Sequence, residues 1–407
     1  MQVCPGHWWE QRAALQGFIA DLLASELAAL RRDMLLPAHT WTEATSLQHD
    51  LGMDSLEFLH VAGLLADSLQ LRRSGVEDYL LARRTLGDWI DIASAGLQHW
   101  CEELTFLTSG SSGAPKSCVH ALAALEQEAQ ALAALFPGRQ RILLAVPSHH
   151  IYGFLCGQLL PRWLGMAPGQ VISIRSKLPS RLASEARAGD LVVGHPQFWQ
   201  AALTPGQVFP AGVIGVSSTA PCPDAVAMRA DGAGLQSLVQ LYGASETGGL
   251  GWRASWRDDY ALHPYLEHDA AQGAIVRHGA DGQPAALAAQ DELAWTGARS
   301  FQVGKRCDGA VQVGGINVFP ERVRQVLLSH PAVADAAVRL MRAEEGGRLK
   351  AYIVPAAQED DAASFIHTLR RWMDEALTAP ERPKAIALGP SLPRGPMGKL
   401  IDWDAGA

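Results

Sequence analysis

The 407-residue sequence has few cysteines and none in close pairs. Its six cysteines lie far apart, without a C-x-x-C spacing, whereas disulfide-stapled secreted domains carry dense cysteines at short spacings. The N-terminus has no basic region followed by an apolar core and a cleavage site. No stretch approaches the roughly 18 uninterrupted apolar residues of a membrane span. These absences predict free thiols in a soluble cytoplasmic protein with no membrane span.

Clusters of one charge sign are also missing. The formal net charge is -8, and the lysines and arginines are spread through the chain, which leaves no basic patch for a polyanionic backbone. We therefore expect no nucleic-acid partner. Apolar residues make up 48% of the chain, which is enough for two or three domains with cores of their own and does not favour a disordered chain.

Helical spacing of apolar residues marks the first part of the chain. An amphipathic run covers 13–30, a second run extends from 55 to about 71, and a shorter one follows the turn at 85–88. Residues 1–97 are therefore predicted to form a helical bundle.

The character of the sequence changes after Trp100. Residues 98–307 alternate short apolar runs with alanine-rich stretches, which predicts an α/β core; residues 308–407 predict a small α+β C-terminal domain. In the core, strands are expected at 141–146, 191–193 and 213–214, and a helix at 120–135. In the C-terminal domain, strands are expected at 310–313, 336–340 and 351–354, and helices at 321–329 and 362–376.

The segment from Leu107 to Lys116 packs hydroxyls, two glycines and a lysine into ten residues. Glycines let backbone N–H groups approach anionic oxygens, hydroxyls add donors, and the lysine adds charge, so the segment predicts a phosphate-binding loop. The spacing of Gly110, Gly113 and Lys116 does not fit G-x-x-x-x-G-K, which disfavours a P-loop NTPase. A Ser/Gly turn without function is the alternative interpretation.

The same loop resembles the phosphate loop of the adenylate-forming superfamily, which includes acyl-CoA synthetases, adenylation domains of peptide synthetases, and luciferases. Further segments resemble that family's motifs in its order, at 147–154, 241–249, 306–308, 313–320 and 392–399. The resemblance covers about 300 residues. It implies activation of a carboxylic acid with ATP and Mg²⁺ to give acyl-AMP, followed by attack of a thiol.

The resemblance implies a role for each matching residue. Glu246 would bind Mg²⁺, and Lys399 would bridge the carboxylate and the α-phosphate, where a cation offsets the repulsion between two anions. Tyr242 would stack on adenine, and Arg306 would contact ribose. The full set of implied nucleotide contacts is Thr108, Ser109, Gly110, Ser111, Ser112, Gly113, Lys116, Tyr242, Thr247 and Arg306.

The acid pocket and the mobile parts follow from the same resemblance. The acid pocket would be lined by His150, Tyr152, Gly153 and Gly243, with His150 also a catalytic residue. Asp308 would be the hinge of the C-terminal domain, and Gly314 and Gly315 would let a pantetheine arm pass. A plain hairpin turn is the alternative for the two glycines.

The pocket segment bears on the choice of acid. Amino acid-activating relatives place an aspartate there, and 148–154 has none, which favours an acid without an α-amine. His149 to Tyr152 resembles aryl ligases for hydroxycinnamates and benzoates, in which the tyrosine bonds a ring hydroxyl. Tyr152 could equally be a packed core aromatic. We expect an aryl acid such as a hydroxybenzoate first and a fatty acid second.

Two features depart from the family. In Thr296-Gly-Ala298 an alanine stands where the family places the aspartate that holds the ribose hydroxyls. In addition, 51–56 resembles an acyl carrier protein, in which Ser55 would carry 4'-phosphopantetheine near a helix N-terminus. The alternative is that Asp54 only caps a helix.

Several alternatives stay open at this stage. The thiol acceptor could be CoA, a separate carrier protein or an arm on Ser55. A catalytically silent scaffold presenting a carrier domain, a fatty acyl-AMP ligase, and an enzyme that passes the acyl group to an amine are the rival interpretations. Pyrophosphate release with a panel of acids distinguishes the scaffold from the enzymes.

Overall fold

The computed structural model describes residues 6–31, 38–109, 115–279, 283–342, 345–357, 361–394 and 400–404. The chain divides into two compact units, residues 1–108 with 117–304 and residues 109–116 with 305–407.

The first unit begins with four helices: α1 (Arg12–Leu30), α2 (Ser55–Ser68), α3 (Glu77–Ala82) and α4 (Leu86–His99). A capping box starts α2, because the Asp54 carboxylate accepts the Leu56 and Glu57 N–H groups at 2.8 Å. Thr85 caps α4 in the same way, so 86–88 is the first turn of the helix and not a separate turn that precedes it.

Helix α1 contacts protein on its polar side as well as on its apolar side. Leu15, Leu23 and Leu27 are fully buried, as in the core helix of a globular protein, although length and composition alone would also suit a membrane span. Gln16 donates to the Trp41 carbonyl at 3.1 Å. The amphipathic pattern did not predict this second set of contacts.

The described part of the first unit has a two-stranded hairpin, β1 (Glu103–Ser109) and β2 (Pro115–Ala121), and a central nine-stranded sheet of β3 (Ile142–Leu144), β4 (Val171–Ser173), β5 (Leu191–Gly194), β6 (Ile214–Ser217), β7 (Ser237–Ala244), β8 (Gly248–Arg253), β9 (Tyr260–Leu262), β13 (Asp291–Trp295) and β14 (Ser300–Arg306). The strand order in the central sheet is β13-β14-β9-β8-β7-β6-β5-β3-β4. The strands β10 (Leu266–Asp269), β11 (Ala274–His278) and β12 (Pro284–Leu287) form a separate sheet.

Strands β3 to β7 run parallel, as the short apolar runs predicted. Helices of the same region are α5 (Leu122–Leu135), α6 (Ile151–Phe154), α7 (Leu160–Trp163), α8 (Leu182–Glu185), α9 (Pro196–Ala202) and α10 (Asp224–Gly232), with a π turn at Leu155–Leu159 between α6 and α7. The connection after β3 leads outward to β4, whereas the connection after β5 leads the other way to β6. The carboxyl ends of β3 and β5 therefore form a topological switch point, where open α/β sheets bind ligands.

The N-terminal helices and the sheet share one hydrophobic core. Phe154 lies at its centre, with ring centroids 4.9 Å from Trp8, 5.9 Å from Phe18 and 5.5 Å from Phe106. These four side chains come from the N-terminal segment, α1, β1 and α6, and the same cluster continues to Val239 of β7. A carrier-like domain at 1–97 would keep a core of its own, so the structure does not confirm one.

The second unit has the predicted α+β character. Its elements are β15 (Val311–Val313), β16 (Ile316–Val318), α11 (Pro320–Leu328), β17 (Val333–Leu340), β18 (Leu349–Pro355), α12 (Ala362–Ala376) and β19 (Ala385–Leu388). Strand β18 pairs with β17 antiparallel and with β19 parallel. Leu327, Ile353 and Leu369 are buried between this sheet and its two helices.

Candidate active site

A cleft of about 440 Å³ opens at the carboxyl ends of β3, β4 and β5. Its lining includes Pro147 after β3, Arg175 after β4, and His195 after β5. The cleft therefore lies at the switch point of the sheet, beside the first residue of the predicted acid-pocket segment.

Three predicted pocket residues lie together at the start of α6. His150 is the exposed N-cap of the helix, and the hydroxyl of half-buried Tyr152 donates to the Gly194 carbonyl at 3.0 Å. Gly153 is packed so closely that a Cβ there would lie 1.9 Å from the Pro147 carbonyl oxygen. The glycine is therefore required by packing, apart from any contact with a substrate.

The environment sets the protonation of these side chains. Partial desolvation by the surrounding protein, with the positive charge of Arg175, lowers the pKa of His150, so the imidazole is neutral at pH 7. Burial raises the pKa of Tyr152 well above its usual value, which keeps the phenol protonated. Both side chains are hydrogen-bonding groups here rather than charges.

Helix α1 holds the predicted pocket segment, residues 147–154, in place through hydrogen bonds to Asp21. Asp21 accepts hydrogen bonds from the Ser148 amide at 2.7 Å and from the Ser148 hydroxyl at 2.8 Å, and it also pairs with Arg175. Sequence reasoning missed this arrangement because Asp21 and Ser148 are 127 positions apart. The available signal was an acidic residue, Asp21, that directly follows the apolar stretch Phe18–Ile19–Ala20 in the helical run.

The predicted adenine and magnesium motif forms β7, a turn and the start of β8. Tyr242 packs its ring against Phe301 at 5.6 Å and donates its hydroxyl to Asp291 at 2.8 Å. Glu246 is half-buried on the turn, and the buried Thr247 hydroxyl donates to the Gly248 carbonyl at 2.9 Å. At Gly243 a Cβ would meet the Gly248 carbonyl oxygen at 2.3 Å. The motif thus folds as a tight turn on the same edge of the sheet as the cleft.

Part of the predicted nucleotide site lies outside the described residues. These positions are Gly110, Ser111, Ser112, Gly113 and Lys399. Thr108 and Ser109 end β1, and Lys116, which is exposed, lies in β2. The roles of all eight stay predictions.

The predicted ribose and hinge residues pair with each other. Arg306 donates to the two carboxylate oxygens of Asp308 at 2.8 and 2.6 Å, and these bonds hold the pKa of Asp308 below its usual value. The boundary between the units falls between Gly304 and Lys305. Ala298 is exposed on the turn before β14. The ribose contact and the hinge stay predictions.

Two more predicted sites have clear local structure. Gly314 and Gly315 form the two-residue turn between β15 and β16, with φ of +69° and +79°, as a type I′ turn requires. Ser55 is the exposed first residue of α2. The pantetheine tunnel and the modification of Ser55 stay predictions.

The family uses Mg²⁺ with ATP, and Mg²⁺ is usually held by one or two carboxylates together with substrate phosphates. Within the part of the chain that the structure describes, no three His, Cys, Asp or Glu side chains form a metal-binding group. Glu246 supplies one half-buried carboxylate on a turn. That donor fits Mg²⁺ shared with ATP phosphates, whose charge the ion would offset.

Below the turn, buried His263 should make the fold acid-sensitive. Desolvation lowers its pKa to about 4, so the unfolded chain binds this proton at higher pH than the folded chain does. Stability from this group is complete above about pH 6.5 and falls as the pH drops towards 4, by up to about 1.4 kcal/mol per pH unit. Urea unfolding across pH 4–7 should show a shallower slope for His263→Gln. The exposed-residue control His99→Gln should keep the wild-type slope, and a His263→Gln slope equal to wild type would contradict the assignment.

Known proteins resemble this chain over most of its length. The AMP-binding enzyme family matches residues 104–280, and the C-terminal domain of AMP-binding enzymes matches 323–399. A 4-coumarate–CoA ligase of Halorhodospira halophila is 40% identical over 85% of this chain and 87% of its own. A 4-coumarate–CoA ligase of Cereibacter sphaeroides is 37% identical over 96% of each chain.

Solved structures agree on the fold. A double mutant of o-succinylbenzoate CoA synthetase from Bacillus subtilis aligns with a TM-score of 0.62 over 98% of this chain and 97% of its own, at 17% identity. The first 97 residues therefore lie within the length over which ligase relatives match this chain. With its turn motif, its switch-point cleft and these relatives, the chain belongs to the AMP-binding enzyme family, the adenylate-forming superfamily, and is an AMP-forming acid–thiol ligase.

Proposed function

We propose that this enzyme activates a hydroxylated aromatic acid of the hydroxycinnamate class and transfers it to CoA. The acid and ATP give acyl-AMP and pyrophosphate; the CoA thiol then displaces AMP to form the thioester. Relatives named 4-coumarate–CoA ligases, matched over 87% and 96% of their lengths, support a hydroxycinnamate ahead of the hydroxybenzoate that the sequence alone favoured.

The observation that carries the proposal is the hydrogen bond from Tyr152 to Gly194. Because the hydroxyl proton is committed to that carbonyl, the phenol oxygen is left to accept a bond from a substrate. A ring hydroxyl on an aromatic acid can donate to it, whereas an alkyl chain cannot. Neutral His150, two residues before Tyr152, adds a second uncharged polar group to the segment whose first residue, Pro147, lines the cleft.

Replacing Tyr152 with phenylalanine should reduce discrimination for the ring hydroxyl. We expect kcat/KM for 4-hydroxycinnamate to fall about tenfold, and that for cinnamate to change by less than about twofold, because only the hydroxylated acid loses a bond. Pyrophosphate release and CoA thioester formation measure both values, and cinnamate serves as the internal control. An equal loss for both acids would mean that Tyr152 is only a packing residue.

An acid panel tests the broader assignment. Wild-type enzyme should favour 4-hydroxycinnamate over 4-hydroxybenzoate and a medium-chain fatty acid. Fastest turnover with the fatty acid would support a fatty acyl-AMP ligase. Product formed with an amine in the absence of CoA would support the amide-forming alternative.

A further inference from the structure

A buried carboxylate from a distant helix reaches the turn between β7 and β8. Glu128 of α5 is 3% exposed, and both of its oxygens accept the Gly249 N–H at 2.9 Å. The turn that precedes Gly249 carries Glu246 and Thr247. No motif in the sequence marked Glu128, because it is 121 positions from its partner.

The other side of Gly249 is held as well. The Tyr265 hydroxyl donates to the Gly249 carbonyl at 3.0 Å. The Tyr265 ring is stacked on His263 with centroids 5.4 Å apart, and the Arg277 guanidinium lies 4.6 Å from its centre. Both backbone groups of one residue are therefore fixed by side chains from other elements.

Two glycines of the turn motif at 241–249 leave space for this carboxylate because they lack a Cβ. A Cβ at Gly249 would lie 2.4 Å from Glu128 Oε1, and a Cβ at Gly248 would lie 2.7 Å from Oε2. Gly248 also has φ of +70°, which side chains disfavour. Because neither residue has a Cβ, Gly248 and Gly249 leave room for the Glu128 carboxylate next to the turn.

A buried charge is costly unless it is compensated, and here compensation is partial. Arg277 Nη2 lies 3.6 Å from Glu128 Oε2, an ion pair too long for a hydrogen bond. Desolvation raises the pKa of Glu128 despite its amide and arginine partners. A buried ion pair is weak evidence for a stabilising role, and the Glu128 carboxylate is instead the acceptor of the Gly249 N–H, which points to a role in fixing geometry.

We propose that Glu128 is a positioning residue for MgATP, which holds the turn so that Glu246 and Thr247 face the nucleotide phosphates. The proposal rests on the family's use of this turn for nucleotide and magnesium, and not on the identity of the acid. The turn is held by the hydrogen bond from the Gly249 N–H to Glu128 more than by the negative charge of Glu128.

Graded variants of the full chain test it. Glu128→Met removes the acceptor and should weaken binding of MgATP, measured by calorimetry with α,β-methylene-ATP, at least tenfold. Glu128→Gln keeps an acceptor and should weaken it about threefold. The control on the same helix is Gln130→Met, at an exposed position, and it should stay within twofold of wild type.

If Glu128 had a purely structural role, its variants would change different measured quantities. It would lower the folded fraction or raise KM for the acid and for ATP alike, whereas positioning raises KM for ATP alone. Gly249→Ala disturbs the same contact from the side of the turn and should reproduce the rise in KM for ATP alone. If Glu128→Met does not fold, Gly249→Ala and Glu128→Gln together test the proposal.

Folded variants that bind MgATP within twofold of wild type would overturn the proposal. A wild-type chain that binds no MgATP would overturn it together with the nucleotide assignment. Wild-type chain that binds MgATP but activates no hydroxycinnamate would overturn the acid assignment alone.

Discussion

The Lys399→Ala variant should form acyl-AMP at least about 100-fold more slowly than wild type, yet still convert supplied acyl-AMP and CoA into thioester. Lys399 ends the segment matched by the family's C-terminal domain, and the family lysine there offsets repulsion between carboxylate and α-phosphate. Losing one preorganised stabiliser of this kind typically costs two to three orders of magnitude. The thioester step involves no such approach of two anions.

Pyrophosphate release measures the first step, and thioester formation from synthetic acyl-AMP measures the second. Lys384→Ala, at an exposed lysine of the same unit, is the control and should match wild type in both. Full adenylation activity in Lys399→Ala would require another cation to take this role.

The Phe154→Ala variant should lose about 3–5 kcal/mol of stability, since the ring is fully buried among three other aromatic residues. Because the core is shared, amide exchange should accelerate in α1 as well as in the parallel strands. Hydrogen exchange with mass spectrometry resolves the two regions.

The control for that variant is Phe365→Ala. Phe365 is buried in the core of the second unit and should leave exchange in α1 unchanged. If Phe154→Ala loosened the strands while α1 kept its protection, the N-terminal helices would be an independent domain, as a carrier-like bundle requires.

Elements with strong periodicity could be predicted closely from sequence. The helix expected at 362–376 is Ala362–Ala376, and the strand expected at 191–193 is Leu191–Gly194. The strands between Gly248 and Arg306 were not predicted, because several are half-exposed and alternate weakly. Local periodicity also could not show that α1 packs on the sheet, because that contact depends on tertiary structure.

Some residues of the candidate site could be predicted from the sequence, and others could not. Motif residues such as Tyr152 and Glu246 could be predicted because each lies in a short motif of adjacent residues. Glu128 and Asp21 could not, since each acts on a backbone amide more than a hundred positions away. Residues that support a motif from a distance leave no spacing to recognise, and only the fold identifies them.

The bond from Asp21 to Ser148 has a consequence for recombining this enzyme with its relatives. A crossover placed after residue 97 would join α1 of one parent to the pocket segment of another, and the Ser148 amide would keep its partner only where the incoming helix supplies an acceptor at position 21. Chimeras that exchange the segment up to 108 should therefore carry residues 147–175 from the same parent, because Asp21, Ser148 and Arg175 would then stay matched.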